Sequence, residues 1–331
     1  MKPVTCPPPR SHVAPDSLRF LASDLEVVES LLASQFPDAV PVVAEMIRQG
    51  CLAGGKRFRP ILLLLAARAF GDVRPAHHQL AVAIEMIHSA TLIHDDILDE
   101  ALTRRHLATI NARWGNHAAV LFGDFLFSQA FYLASTTGDA FACELIGKAT
   151  NLVCEGELQQ GEIAGDYSVS IDKYFEIIGK KTAALCACAT QLGAHVAGGS
   201  AAERESWKEA GRGLGLAFQI VDDILDIDGD SGRCGKTLGT DLMTGTPTLP
   251  VLLALESEPP AVRDNWLAKL STGQASPGEV REWTIRTNAL QAARNRAEDH
   301  VFKAIACLDA CNEPVRRAFS ELGRFILARR N

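Results

Sequence analysis

The sequence predicts an all-α protein, and three observations lead there. Hydrophobic residues make up 47% of its 331 positions with alanine and leucine abundant, while aromatics are only 6%, a balance that favours helices over a sandwich or barrel. From Asp16 onward apolar residues recur at helical spacing, and no stretch alternates with period two between hairpin turns. Gly54-Gly55, Gly138, Gly165 and Gly198-Gly199 punctuate these periodic segments as loop residues do.

Taken in order, residues 1–15 carry Pro3, Pro7, Pro8, Pro9 and Pro15 without periodicity and read as a loose tail. Residues 16–331 read as a single large helical domain. Asp16 is placed to cap a helix running through Leu18, Leu21, Leu25, Val28 and Leu31. An apolar helix opens near Pro60, and Pro75 opens a long one ending near Glu100, with Leu80, Ala83, Ile84, Ile87 and Thr91 along its buried side. Further helices are expected over 116–136, 139–164, 170–197, 201–228 and 247–256, with two or three shorter ones before Arg330. Helices of this number enclose a site in a central cavity between them.

Composition excludes several function classes. A net charge of -7 speaks against general nucleic-acid binding. The nine cysteines are dispersed without paired CxxC spacing, which argues against a structural zinc site. No N-terminal signal pattern is evident, so a reducing cytoplasm with free thiols is the expected setting. The longest apolar run, Ile61 to Ala67, falls far short of the roughly 20 residues that span a bilayer, so no transmembrane segment is expected.

The chemistry is carried by a repeat. Asp95-Asp96-Ile97-Leu98-Asp99 recurs letter for letter as Asp222-Asp223-Ile224-Leu225-Asp226, while the flanks differ. At about 3.6 residues per turn the first and fifth positions stack on one helical face with the second beside them. Such carboxylates repel one another unless hard divalent cations fill the cluster, and two clusters suit a densely anionic ligand, a diphosphate. Cations accompany them. Gly54-Gly55-Lys56-Arg57-Phe58-Arg59-Pro60 is basic, His88 stands two turns before Asp95, and Arg104-Arg105 follow it. Gln219 lies one turn before Asp222, Lys236 follows downstream, and Lys180-Lys181-Thr182 sits on a third helix. Arginine forks and lysine point charges bind phosphoryl oxygens, though one basic cluster alone is usually a solvated face.

These residues resemble the trans-prenyl diphosphate synthases, the head-to-tail prenyltransferases of isoprenoid biosynthesis. The matching strings are GGKRFRP at 54–60, EMIHSATLIHDDILDEALTRR at 85–105, GDFLF at 123–127, EGELQQ at 155–160, GKKTAAL at 179–185 and FQIVDDILDIDGDSGRCGKTLGTDL at 218–242. The likeness runs from about residue 16 to the C-terminus and is most like the long-chain members. It implies the all-α isoprenoid synthase fold and condensation of isopentenyl diphosphate with a dimethylallyl, geranyl, farnesyl or geranylgeranyl diphosphate.

The resemblance also assigns roles. Asp95 and Asp99 would ligate two magnesium ions with Asp96 in support, and Asp222 would hold a third with Asp223 and Asp226 around it. Arg104, Lys181 and Lys236 would contact the allylic diphosphate, and Lys56, Arg59, His88 and Arg105 the diphosphate of isopentenyl diphosphate. Lys181, Thr182 and Gln219 would lie near the allylic carbon. Ala90 and Thr91, where short-chain members carry bulky aromatics, would border the shaft for the growing chain, and their small size implies a product longer than farnesyl. A homodimer is implied, for which 116–136 is the candidate interface, together with transient membrane contact for product release.

Two departures stand out. Thr246 occupies the place of a usual lysine in the string after the second motif, and His106-Leu107-Ala108 replaces a common Gly-x-Pro. Two alternatives therefore remain open: a geranylgeranyl diphosphate synthase, and a regulatory subunit that keeps the fold without catalysis. An HD-type phosphohydrolase leaves the second aspartate motif and the basic motifs unexplained, and a di-iron bundle (Glu85/His88 as ExxH) needs a second ExxH that the sequence lacks.

Overall fold

The protein's architecture comes from a computed structural model that describes residues 16–52, 54–104, 107–229 and 239–329. A 3-10 turn at Asp16–Leu21 leads into α1 (Ala22–Ser34), α2 (Pro41–Gly50), α3 (Phe58–Arg68) and α4 (Pro75–Leu98). A two-residue hairpin follows, β1 (Thr103–Arg104) antiparallel to β2 (Leu107–Ala108), then α5 (Ile110–Trp114), α6 (Asn116–Ser135) and α7 (Ala140–Glu162). Next come α8 (Ile171–Ile178), a π turn at Gly179–Ala183, α9 (Ala184–Val196) and α10 (Ala201–Asp228). The rest is α11 (Thr240–Met243), α12 (Leu249–Ser257), α13 (Pro260–Ser271), α14 (Pro277–Arg286), α15 (Ala289–Ala306) and α16 (Glu313–Leu327). The prediction of an all-α protein holds.

The chain forms two compact units. One contains the described residues up to Ile146 with Ala189–Arg204 and Asn312–Ala318; the other contains Gly147–Cys188, Glu205–Cys311 and the described residues from Phe319. In the first, α4 packs on α1, α3 and α6, and its apolar residues from Leu80 to Ile87 are wholly buried. The Ile61–Ala67 run lies in α3 and is buried on every side, which is why its sequence shows no amphipathic stripe. Gly193 permits the closest approach to it, since a Cβ there would lie 2.2 Å from the Leu63 carbonyl oxygen. In the second unit Trp266 stacks on Trp283 at 4.0 Å, and Trp207 meets Phe319 edge-on at 5.7 Å.

Several elements differ from expectation. The expected start near Pro60 falls at Phe58, and the 170–197 helix carries a π turn in its middle. Neither α2, α5 nor the 103–108 hairpin was expected, and the C-terminal helices include α15 and α16, which are not short. The predicted 1–15 tail, Arg105 and Lys236 lie outside the described residues.

Helix α6 is long and apolar enough to cross a bilayer by length and composition. Here, however, one side of it (Phe122, Gly123, Leu126, Ala130) is buried, and α4 is the helix it packs on. Leu121, Phe125 and Tyr132 lie on another side and are exposed, so its phenylalanines do wrap around more than one face.

His77 is a fully buried polar group in the first unit. Its Nδ1 accepts from the Arg74 amide at 2.8 Å, and Nε2 donates to the Gly193 carbonyl at 3.2 Å. Burial, aided by nearby Arg74, pushes its pKa down to about 4. The folded state therefore resists a proton that the unfolded chain accepts near pH 6.5. The contribution of His77 to stability is expected to be full above that pH and to fall as pH drops from about 6.5 to about 4, by roughly 3 kcal/mol. Urea denaturation of both proteins across this range checks it: the wild type should lose about that much stability relative to the His77→Gln variant as pH falls, and equal slopes would refute the assignment.

Candidate active site

The first two aspartates of the DDILD copies are buried alike. Asp95 and Asp222, at the first position, are half-buried, whereas Asp96 and Asp223 at the second are only 4% and 3% exposed. Asp99 is exposed and Asp226 half-buried. Helical geometry explains the pattern, because the second residue is turned about 100° from the first, toward the packed side of its helix.

A buried carboxylate is costly without partners, and each has them. In the first unit Arg104, on β1, donates from Nε to Asp96 at 2.7 Å. The hairpin thus serves to return this guanidinium to the motif that precedes it. In the second unit the Tyr174 hydroxyl donates to Asp223 Oδ2 at 2.6 Å and Gln219 Nε2 donates to Oδ1 at 2.8 Å. Thr182 donates in turn to Gln219 Oε1 at 2.8 Å. Burial, reinforced by adjacent Asp222, pushes the Asp223 carboxyl up to about 7, against the pull of these hydrogen bonds. The Tyr174 phenol is driven well above its ordinary value by burial and by Asp223. Asp222 pairs with Arg329 at 2.7 Å, whose guanidinium also lies over the Phe218 ring at 4.3 Å. Asp226 accepts from the amides of Thr240 and Asp241, both at 3.1 Å.

The Lys180-Lys181-Thr182 segment lies in the π turn. One extra residue per turn redirects successive side chains, and such turns recur at functional sites. Two glycines let neighbouring helices close on it. A Cβ at Gly156 of α7 would sit 2.5 Å from the Lys181 amide, and one at Gly215 of α10 would sit 2.7 Å from Ala183 Cα. Within the turn the lysines part company. Lys180 binds Glu155 at 2.7 Å and Glu176 at 2.8 Å, while Lys181 binds Glu157 at 2.7 Å.

In the basic motif of the first unit Arg57 turns inward with φ of 46°, pairing with Glu29 and with Glu85 at 3.0 Å. This anchor fixes the loop, with Lys56 exposed and Arg59 half-buried beside it. The Arg59 Nε is buried without a hydrogen-bond partner, a donor available to a ligand. His88 is half-buried on α4, and Thr91 donates to its carbonyl at 2.8 Å. Ala90 is fully buried in a cluster with Met46, Ile47, Ile93, Phe122 and Leu126. In the second unit Thr246 lines a 150 Å³ cavity with Asp226, Asp241 and Tyr167.

The donor chemistry suits a hard divalent cation, since each motif offers carboxylate oxygens at i and i+4. Among the described residues, no three acidic, histidine or cysteine side chains already stand together as a closed metal cage. The structure groups Thr182, Gln219 and Asp223 in one chain of hydrogen bonds, and Arg104 with Asp96. Sequence reasoning missed Tyr174, Glu157, Arg329 and the two glycines. No local signal marks Arg329, which lies far along the chain from Asp222; Tyr174 carries a faint one, seven residues before Lys181 on the same helical run.

Tyr174→Phe is expected to cost about 1–3 kcal/mol of stability, because a buried carboxylate loses a donor. Turnover should fall about tenfold or more, as for other residues that orient a metal-binding carboxylate. Denaturation and steady-state kinetics on the purified variant check both, and wild-type values in each would refute the role.

Comparison with known proteins places this geometry. The polyprenyl synthetase family model matches residues 40–285. The octaprenyl diphosphate synthase of Escherichia coli (strain K12) is 36% identical over 311 residues, 93% of this chain and 96% of that one. A short chain isoprenyl diphosphate synthase of Methanothermobacter thermautotrophicus is 38% identical over 286 residues, 84% of this chain and 87% of that one. The crystal structure of a polyprenyl synthase from Caulobacter crescentus CB15, complexed with calcium and isoprenyl diphosphate, superposes with a TM-score of 0.91 at 36% identity. That alignment covers 96% of this chain and 98% of the other, so the fold is the all-α isoprenoid synthase fold. The chain belongs to the polyprenyl synthetase family.

Proposed function

We propose that the protein is a magnesium-dependent trans-prenyltransferase that adds isopentenyl diphosphate to an allylic diphosphate, giving an all-trans polyprenyl diphosphate longer than farnesyl. The observation that carries this reading is the duplicated aspartate motif, whose first two aspartates have the same burial in both copies. Asp95 and Asp99, and Asp222 with Asp226, would hold the magnesium ions, three in this reading. Bound there, the ions act as Lewis acids that neutralise the departing diphosphate.

The side chains then divide the work. Asp96 and Asp223 orient the outer carboxylates from within the core. Lys181 and Arg104 bind the allylic diphosphate and stabilise the charge that develops on it, with Lys236 joining them from outside the described residues. Lys56, Arg59 and His88, with Arg105, hold the diphosphate of isopentenyl diphosphate so that its double bond meets the allylic carbon in register. The Gln219 amide is fixed by Thr182 on one side and Asp223 on the other, which keeps its dipole from reorienting as positive charge develops. Water must be excluded from the allylic cation, which the apolar residues around each motif favour.

The octaprenyl, nonaprenyl and heptaprenyl diphosphate synthases among the relatives agree with a product longer than farnesyl, while a short-chain synthase matches at similar identity. The longer product rests on small Ala90 and Thr91. A homodimer is supported by the exposed Leu121, Phe125 and Tyr132 on α6, which a second copy would cover; a monomeric mass in light scattering would count against it. A reducing cytoplasm is supported by the thiols of Cys51 and Cys188, buried and pushed up to about 12, which marks them as inert packing groups.

Incubation of the purified chain with magnesium, isopentenyl diphosphate and each allylic starter should yield elongated prenyl diphosphates; none from any starter sinks the proposal. Asp95→Ala and Asp222→Ala are each expected to lower turnover by orders of magnitude with the fold intact by circular dichroism. Ala90→Phe should shorten the products seen by chromatography after dephosphorylation. Overpacking of that buried site should cost about 1–3 kcal/mol in the same variant, so melting is measured alongside. Products of unchanged length would show that Ala90 does not border the chain's path.

A further inference from the structure

Away from the residues assigned above, the second unit contains a cavity of 290 Å³ between α8, α10 and α15. Phe175 and Leu216 form its apolar lining, and Arg212, Arg296, His300 and Lys303 supply the polar one. Helical spacing gathers three of these, because positions 296, 300 and 303 share one face of α15. Gly213 brings α10 against the same stretch, since a Cβ there would lie 3.0 Å from the His300 carbonyl oxygen and 2.8 Å from Ala304 Cβ.

This concentration of cations is unlike the rest of the protein. Elsewhere Arg57, Arg68, Lys180, Lys181, Arg281 and Arg286 each bind a carboxylate at salt-bridge distance. The side chains of Arg296 and Lys303 have no ion-pair or hydrogen-bond partner among the described residues, and the Arg212 guanidinium reaches Glu209 at 4.0 Å. Asp299 is the one carboxylate in the lining. On a chain with net charge -7, carboxylates are plentiful, yet mutual repulsion of these cations is left largely unrelieved. Two guanidinium forks and an ammonium around a concave site match the oxygens of a phosphoryl group.

We propose that this cavity is a second anion site, separate from the aspartate motifs, that takes a phosphoryl anion, the group shared by a free diphosphate and a phospholipid headgroup. The arginines and Lys303 bind its oxygens, and Phe175 and Leu216 accept an apolar attachment where the anion carries one. His300, whose ring lies 5.4 Å from that of Phe175, reports on occupancy. Burial, then Lys303, Arg212 and Arg296, lower its pKa against the opposing pull of Asp299. An anion seated among the same cations would cancel that field and raise it.

The test follows the His300 ring resonance of the full-length, 13C-histidine-labelled protein, assigned with His300→Asn. Sodium pyrophosphate and phosphatidylglycerol vesicles are titrated separately, without divalent metal, so that a soluble diphosphate and a lipid phosphate are distinguished. The His300 resonance should shift and its pKa rise with one or both probes. The Arg296→Ala/Lys303→Ala variant should weaken that response at least tenfold, while its melting temperature stays at the wild-type value because both side chains are exposed. A response to pyrophosphate alone assigns a soluble ligand, and one to vesicles alone assigns a lipid headgroup. No response to either probe overturns the proposal, as does a response that persists undiminished in the double variant.

Discussion

The second aspartate of each repeated motif is the constraint around which the site is organised. Asp96 and Asp223 are carboxylates placed indoors, and a charge there is tolerated only with charged or hydrogen-bonding partners in good geometry. The two copies solve this differently. Asp96 takes a guanidinium, Arg104, brought back by a two-residue hairpin; Asp223 takes two neutral donors, Tyr174 and Gln219. The consequence appears in proton affinity. With neutral donors and Asp222 beside it, burial prevails and Asp223 rises to about 7, so its charge depends on what cation stands nearby. Because the partners are on α8 and on the turn before the motif, the requirement of one buried carboxylate fixes the placement of Gln219 and, through it, Thr182.

The π turn is the second constraint, and it is steric. Gly156 and Gly215 allow the backbones of α7 and α10 to approach Lys181 and Ala183 more closely than any side chain permits. The Lys180–Thr182 segment is held by contacts on two sides, so its lysines are aimed by packing as well as by their own ion pairs. That is how adjacent lysines acquire different partners: Lys180 is tied to Glu155 and Glu176, while Lys181 meets Glu157.

Much of this was legible in the sequence, for physical reasons. Helix periodicity located α6, α7 and α10 to within two residues, because each is long and ends at a turn residue. The repeated pentapeptide needed only helical geometry to be read as a carboxylate cluster. What stayed hidden depends on contacts distant in sequence. Arg329 is one of 33 basic residues, and nothing near it says that it meets Asp222. The π turn has the letters of an ordinary helix, and the glycines that close on it, Gly156 and Gly215, lie on other elements. Arg57 looks in sequence like one more phosphate-binding cation; the left-handed backbone at that residue turns it inward to Glu29 and Glu85 instead.

The ion pairs of the site differ in how readily an anionic substrate can displace them. Lys181 and Glu157 are 22% and 25% exposed, so water screens their attraction and a diphosphate with several charges competes well for the lysine. The Asp96 side chain is only 6% exposed, so losing the Arg104 guanidinium would take a charged partner from a buried carboxylate, which is strongly unfavourable. Arg104 therefore stays on Asp96 while its fork, with five donors, can serve a phosphoryl oxygen at the same time. In the proposed reading, Lys181 would exchange partners on substrate binding and Arg104 would be shared. This difference follows from burial alone, and it makes Arg104 a fixed reference for the first motif whatever ligand is bound.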